Sequence, residues 1–491
     1  MKKLYTIILV VLSLFAFTSC NDFLDMKPTN SVDSKGSVTT ARDAEVAING
    51  LVREMLSTSL YGRNTLLYAD AKGGDYTVVS NGRGSDALYT FSHTSVSGTY
   101  SGFWSVSYTC IAQINSVLES IDAVEKAGTK EDFSDAKGQL YTYRAMIYFD
   151  LVRMYGKNYN VDKAALAVPL VTTTLATTEK PARATVNDIY TQVVNDLKTG
   201  AGLIGKDANN GYINYYGNLA IQARVDMEMG KYAEALAACK EIIKDGDYSL
   251  YSNSEWVDSW KKQFGSESII EFAVNINEAD HGSSCLGETI SREGDCDGDS
   301  DGLFVASDFW LARMKEDASD VRWGIMAYDE LSKTRLGSCY KYLGSTSLSG
   351  DGKAGYTAVN IKFCRLSEIY LIAAEAAFRT GNLSTTDGAA YYLNQIRKRS
   401  PNLAAATEST VTLDMILSEK SKELFGEGQR YWDLIRCNKS ITYNDVIDGG
   451  EGELPHPYRE STIDRTFFRT ILPISQDDIN ADANLVQNPG Y

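Results

Sequence analysis

Residues 418–439 read Ser-Glu-Lys-Ser-Lys-Glu-Leu-Phe-Gly-Glu-Gly-Gln-Arg-Tyr-Trp-Asp-Leu-Ile-Arg-Cys-Asn-Lys. The stretch predicts a helix, a Gly-Glu-Gly break at Gly426 to Gly428, and a second short helix. Glu419 and Glu423 sit one turn apart on the first helix. Arg430, Asp433 and Arg436 follow at three-residue steps on the second, a spacing that lets Asp433 face both arginines. Tyr431, Leu434 and Ile435 are left for packing. Two adjoining helices with this many charges and aromatics need neighbours, so they are expected to dock on a larger helical body. Carboxylates paired with arginines are commonly structural, so the stretch marks a fold rather than a reaction centre.

The bulk composition narrows the function. The chain has 491 residues and a net charge of −16, and no cluster of Lys and Arg, which excludes nucleic acid as a partner. Three histidines, His93, His281 and His456, give little material for a histidine-based metal or catalytic site. Thirty tyrosines supply flat apolar faces with polar tips. Beyond Cys20, the cysteines at 110, 239, 285, 296, 339, 364 and 437 are scattered, with no C-x-x-C. Neither a zinc site nor a disulfide framework follows. Cys285 and Cys296 could pair, and most of the others read as buried small hydrophobes.

The N-terminus points to a compartment. Met1-Lys2-Lys3 is basic, and Leu4 to Phe17 is an apolar run of about 14 residues, short of the roughly 20 that span a bilayer. It ends in Phe17-Thr18-Ser19-Cys20. Small residues before a cysteine at this place read as a lipoprotein signal over residues 1–19, with Cys20 the lipidated first residue of the mature chain. Phe17 stands where leucine is usual. No second such run follows, so the chain is expected to be anchored to a membrane rather than to cross it.

Along the rest of the chain, helical spacing recurs. Ala44, Ala47, Ile48, Leu51, Val52 and Met55 form one stripe, and Trp104, Tyr108, Ile111, Ile114, Asn115 and Leu118 form another. Gly217 to Asp245 is the clearest repeat unit: a helix with Ala220, Ala223 and Met227, a turn at Gly230-Lys231-Tyr232, and a helix with Ala235, Leu236, Cys239 and Ile242. Small residues one turn apart, then Gly, an aromatic and Glu-Ala, follow the tetratricopeptide hairpin pattern. Leu366 to Arg399 reads as a second copy. One hairpin cannot bury its face alone, so several must stack. Tyr248 to Asn360 is loop-rich, with strand candidates at Ser268 to Asn275 and, at its end, Thr357 to Phe363.

Several of these segments resemble the SusD/RagB family of outer-membrane glycan-binding lipoproteins. The Glu-rich helix, Gly-Glu-Gly and Arg-x-x-Asp-Leu-x-Arg of the opening stretch match its C-terminal signature. Asp22-Phe23-Leu24-Asp25, the Trp104–Asn115 helix, Tyr155-Gly156 followed by Pro169-Leu170-Val171, and Arg365 to Ala376 match other segments of the same family. The tail, with Leu472-Pro473-Ile474 and Gln487-Asn488-Pro489-Gly490-Tyr491, matches as well, with Ser475 where proline is usual. The resemblance covers most of the chain. It implies a mainly α fold, a tetratricopeptide-like helical-hairpin scaffold of four units with a loop-rich non-repeat part and a few short strands. The expected organisation is one domain over 20–491, with repeat units at about 41–246 and 364–437, a loop-rich insertion at about 248–360 and an extended tail at 467–491. It also implies a partner, a SusC-like TonB-dependent transporter, and an address on the outer membrane, facing outward.

A sugar's C–H face is apolar and its hydroxyls are not, so a site for it wants an aromatic platform flanked by polar groups. The long loop from Asp70 to Tyr100 offers Asp75, Tyr76, Asn81, Arg83 and Tyr100, running up to Trp104. The loop-rich insertion offers Trp310 and Tyr340, with Tyr342 beside them. The family resemblance points to these two regions and not to particular residues. Asp297, Asp299, Asp301 and Asp308, with Gly302 at the sixth position, echo a calcium loop. Aspartate replaces the usual final glutamate and no entering helix precedes, so a solvated acidic loop competes with a Ca²⁺ site. No other cofactor is expected.

For enzyme chemistry little is present. A glycosidase needs two carboxylates at a set separation, one with a raised pKa, and the Arg and Lys around Glu423 and Glu427 would keep both ionised. The sequence therefore predicts a non-enzymatic, cell-surface lipoprotein that binds oligosaccharide and delivers it to the transporter. The alternatives are an α-solenoid adaptor for a protein or peptide, and a hydrolase.

Overall fold

The computed structural model describes residues 38–79, 86–98, 100–208, 210–274, 284–291, 302–329, 334–342, 359–443 and 460–491. Cys20, Asn81, Arg83, Asp297, Asp299, Asp301 and Cys296 lie outside them.

Local capping sets where the first helices begin. Helix α1 (Ala41–Met55) opens on a capping box in which Thr40 and Asp43 each accept from the other's amide. Helices α2 (Asn64–Lys72), α3 (Ser101–Lys126) and α4 (Ser134–Tyr155) follow. α5 (Val186–Ala201) repeats the box with Thr185 and Asp188. α6 (Tyr215–Met229) is capped by Asn214 and ends at Gly230, whose φ of 74° is the left-handed turn that side chains resist. Then come α7 (Tyr232–Asp245), α8 (Asp308–Met314), α9 (Leu366–Arg379), α10 (Ala389–Arg397), α11 (Leu413–Glu423) and α12 (Arg430–Arg436).

The long helices stack in a row. α1 packs on α3, α3 on α4, α4 on α5, α5 on α6 and α6 on α7. α7 then meets α9 directly, and α9, α10 and α11 pack on one another. The two hairpins legible as repeats are thus spatial neighbours. The pairing of α4 with α5 gave no repeat signal, because α4 is buried on nearly every face and shows no polar stripe. There the helices approach closely: a Cβ on Gly200 of α5 would lie 2.7 Å from the Thr142 hydroxyl of α4.

Short strands fall at Tyr76–Val78 (β1), Leu166–Pro169 (β2), Arg183–Thr185 (β3), Ser268–Phe272 (β4), Phe304–Ala306 (β5), Met326–Ala327 (β6), Ser338–Cys339 (β7) and Ile361–Arg365 (β8). They pair antiparallel, β1 with β5, β2 with β3, β4 with β8 and β6 with β7. The β4–β8 pair, running from Ser268↔Arg365 to Phe272↔Ile361, clasps the two ends of the loop-rich segment where α9 begins. The tail is held by Arg183, whose guanidinium donates to the carbonyls of Ala167 and Val486 and to Asn488 Oδ1, each at 2.7 Å.

The opening stretch is the ionic centre of the molecule. Glu423 is fully buried, with Arg365 at 3.2 Å, Arg322 at 3.4 Å and Arg399 at 4.0 Å. Arg365 also holds Glu267 at 2.8 Å and Glu427 at 2.7 Å, and Arg322 holds Glu419 and Asp320, each at 2.7 Å. One expectation is corrected here. Asp433 pairs with Arg436 and Lys420, each at 2.7 Å, and not with Arg430. Arg430 opens α12 beside the buried carboxylate of Asp75, 3.4 Å away, and Lys420 takes the vacated place on Asp433.

Burial pulls Glu423 toward its neutral form, but Arg365, Arg399 and Arg322 outweigh it and hold its pKa down at about 2, against an ordinary 4.5. A depressed carboxylate stabilises the fold above its unfolded pKa, and that contribution is lost as pH falls from about 4.5 toward 2. Glu423→Gln leaves three guanidiniums short of a partner and should cost about 3–5 kcal/mol at pH 7. Thermal melts of both proteins between pH 7 and 2 should show the gap narrowing across that acid window; a constant gap would sink the assignment.

Candidate functional site

The loop-rich segment builds a corner on the helical body. β5 lies on β1 with Tyr76 opposite Ala306, and Ala306 N–H donates to the Gly337 carbonyl at 2.8 Å, joining β5 to the β6–β7 pair. At the end of β5, Ser307 caps α8. Its hydroxyl accepts from Trp310 N–H at 3.2 Å and donates to the Gly74 carbonyl at 2.8 Å. Arg335, itself buried, fastens the corner. Its guanidinium donates to Asp308 at 3.1 Å, to Asp329 and to the Ala306 carbonyl.

Each of those carboxylates has an aromatic sequence neighbour. Phe309 follows Asp308 and is 41% exposed; Tyr328 precedes Asp329 and is 55% exposed. Among the described residues these are the aromatic side chains that stand exposed. One buried guanidinium therefore fixes the backbone beneath two rings whose apolar faces are open to solvent. Such rings can stack on a flat apolar ligand surface while nearby polar groups meet its hydroxyls.

The residues singled out from the sequence lie one layer deeper. Asp75 is buried, accepts from Ser421 at 2.7 Å and pairs with Arg313. Tyr76 and Trp310 sandwich Phe425 of the opening stretch, with centroids 4.2 and 4.0 Å from it, and Trp310 Nε1 donates to the Ser421 carbonyl at 3.0 Å. Trp104 is buried edge-on against Tyr155 at 4.9 Å. None of these four offers a face to a sugar, which corrects their expected role. Tyr100 and Tyr340 are half-buried; Tyr100 caps α3 at φ 56° and touches Tyr68 edge-on. A large ring among polar residues describes a core anchor as well as a platform, which is why the sequence did not separate buried rings from exposed ones. Phe309 was masked by the larger Trp310 beside it. No local pattern marks Tyr328: Met326, two residues before it, is buried, so strand alternation does not separate the two.

Asp308, the last candidate calcium ligand, bonds to Arg335, so a cation already occupies its carboxylate. Among the described residues no group of three or more His, Cys, Asp or Glu converges to hold a metal. Cys110, Cys239, Cys339 and Cys364 are buried, as read from the sequence.

A row of helical hairpins bearing a loop-built corner with exposed rings defines a scaffold for surface recognition. The model of the SusD family matches residues 312–491, and a model described as starch-binding, associating with outer membrane, matches residues 22–224. A solved SusD superfamily protein of Bacteroides thetaiotaomicron is 30% identical, covers 92% of this chain and 100% of its own, and superposes with a TM-score of 0.82. The starch-binding protein SusD of the same species is 34% identical over 145 residues, 29% of this chain and 24% of its own. A laminarin-binding SusD-like protein shares the fold at a TM-score of 0.72 and 21% identity, covering 92% of this chain and 100% of its own. This chain belongs to the SusD family.

The layering has a direct test. Trp310→Phe strands the buried Ser421 carbonyl and should cost about 1–3 kcal/mol. Phe309→Ala, on the surface, should stay within about 0.5 kcal/mol. Denaturant titration separates them; equal losses would put Phe309 in the core.

Proposed function

We propose that this chain is a lipid-anchored glycan-binding protein of the outer membrane, facing outward, that passes oligosaccharide to a SusC-like TonB-dependent transporter. The observation that carries the binding step is the pair Phe309 and Tyr328, open rings held by Arg335 through Asp308 and Asp329. The relatives named for starch and laminarin support the ligand class. The matched model that associates with the outer membrane supports the address. The lipid on Cys20 rests on the signal pattern of residues 1–19, and the transfer to a transporter rests on the family resemblance alone. A binding role without bond cleavage fits Glu423, whose low pKa is the reverse of what a glycosidic acid needs.

Calcium remains part of the proposal at Asp297, Asp299 and Asp301, without Asp308. Calorimetric titration with Ca²⁺ should give heat that Asp299→Ala removes; no heat in the parent protein disposes of the ion.

A groove of about 500 Å³ along α5, α6 and α7, lined by Leu197, Leu219, Val225 and Ala238, favours a second reading as a peptide-binding adaptor. A glycan array probed with the chain from Asn21 decides between them, because an adaptor would stay dark. On a positive glycan, Phe309→Ala and Tyr328→Ala should each weaken binding about tenfold, or ~1.4 kcal/mol, with melting unchanged. Parental affinity in both variants would move the site elsewhere.

A further inference from the structure

The C-terminal segment closes a cavity of about 310 Å³ that shares no lining residue with the Phe309–Tyr328 corner. That volume suits a small molecule. Its ring walls include Tyr190, Trp432 and Phe467. Its charged lining is Arg153, Lys157, Arg465 and Glu228.

The charges do not balance. Arg153 lies between Phe149 and Trp432, with its guanidinium 4.0 and 4.5 Å from their ring centroids, and donates to Asp150. Its Nε is buried without a hydrogen-bond partner. Neither Lys157 nor Arg465 has an ion-pair partner among the described residues. The single carboxylate, Glu228, is 4% exposed and accepts from Asn158 at 2.9 Å; burial raises its pKa and favours its neutral form. Nearby carboxylates are engaged elsewhere: Asp150 also accepts from Tyr61 at 2.9 Å, and Asp433 holds Arg436 and Lys420. In a chain of net charge −16, an aromatic-walled space is thus bordered by Arg153, which is paired with Asp150 but keeps a buried Nε without a partner, and by Lys157 and Arg465, which pair with no carboxylate among the described residues. Charge-assisted bonds to a carboxylate are the strong interaction such a site can make.

We propose that this cavity binds a small organic carboxylate, its body lying between Tyr190, Trp432 and Phe467 and its charge held by Arg153 and Arg465. An aromatic acid and a uronic-acid sugar both have this chemistry. The test is calorimetric titration of the full chain in detergent with phenylacetate and with glucuronate, each against its neutral counterpart, phenylacetamide or glucose. At least one acid should bind saturably at millimolar concentration or below, with its neutral counterpart tenfold weaker or more; which acid binds names the source. Val161→Trp plugs the cavity from a wall position that is 43% exposed and should abolish binding. Arg465→Gln should weaken it tenfold or more, and Tyr328→Ala should leave it unchanged, so failure here and failure of the glycan corner read out separately. No binding by either acid, equal binding of the neutral counterparts, or undiminished binding in Val161→Trp overturns the proposal.

Discussion

Everything in this fold meets at Arg365. It is the last residue of β8, it stands immediately before α9, and its guanidinium reaches Glu267, Glu423 and Glu427. Removing charges from water costs several kcal/mol per ion, and the loss is recovered only when geometry and hydrogen bonding are near complete. That requirement is strict about position. α11, the Gly-Glu-Gly turn, the β4–β8 pair and the residues around Arg322 and Arg399 must all be in place before any of these ions is satisfied. A helical row alone could slide or add members; the buried ions fix which helix sits where.

The same logic explains the opening stretch. Its charges are not a solvated face, because Glu419, Glu423 and Asp433 all point into protein. Its Phe425 carries the constraint outward, packed between Tyr76 and Trp310, and Trp310 lies one residue from the exposed Phe309. Asp75 adds a second tie, through Ser421 and Arg430. The corner is therefore stiff because its floor is the ionic centre's roof.

The sequence made the scaffold legible where physics acts locally. Caps, the left-handed Gly230 and small residues one turn apart each report on a few neighbours, so the hairpins at α6–α7 and α9–α10 could be read directly. α4 could not be read as a repeat member, since a helix buried all round has no stripe. The site was legible only as a region. Asp75, Tyr76 and Trp310 do cluster, but the two rings are buried by Phe425, 349 residues on from Tyr76 and 115 from Trp310 (425 − 76 and 425 − 310), and nothing local reveals that. Arg335, which holds Asp308 and Asp329 together, has no sequence pattern at all.

The β4–β8 clasp carries one more consequence. α7 and α9 touch, so the polypeptide between them leaves the row and returns to almost the same spot. Closing a loop whose ends are already fastened costs free energy that grows only logarithmically with length. The exposed loops of such a cassette can be lengthened or trimmed while Glu267, Asp320 and Arg322 within it keep their places at the ionic centre. Change in those exposed loops is thereby uncoupled, mechanically, from the survival of the body that presents them.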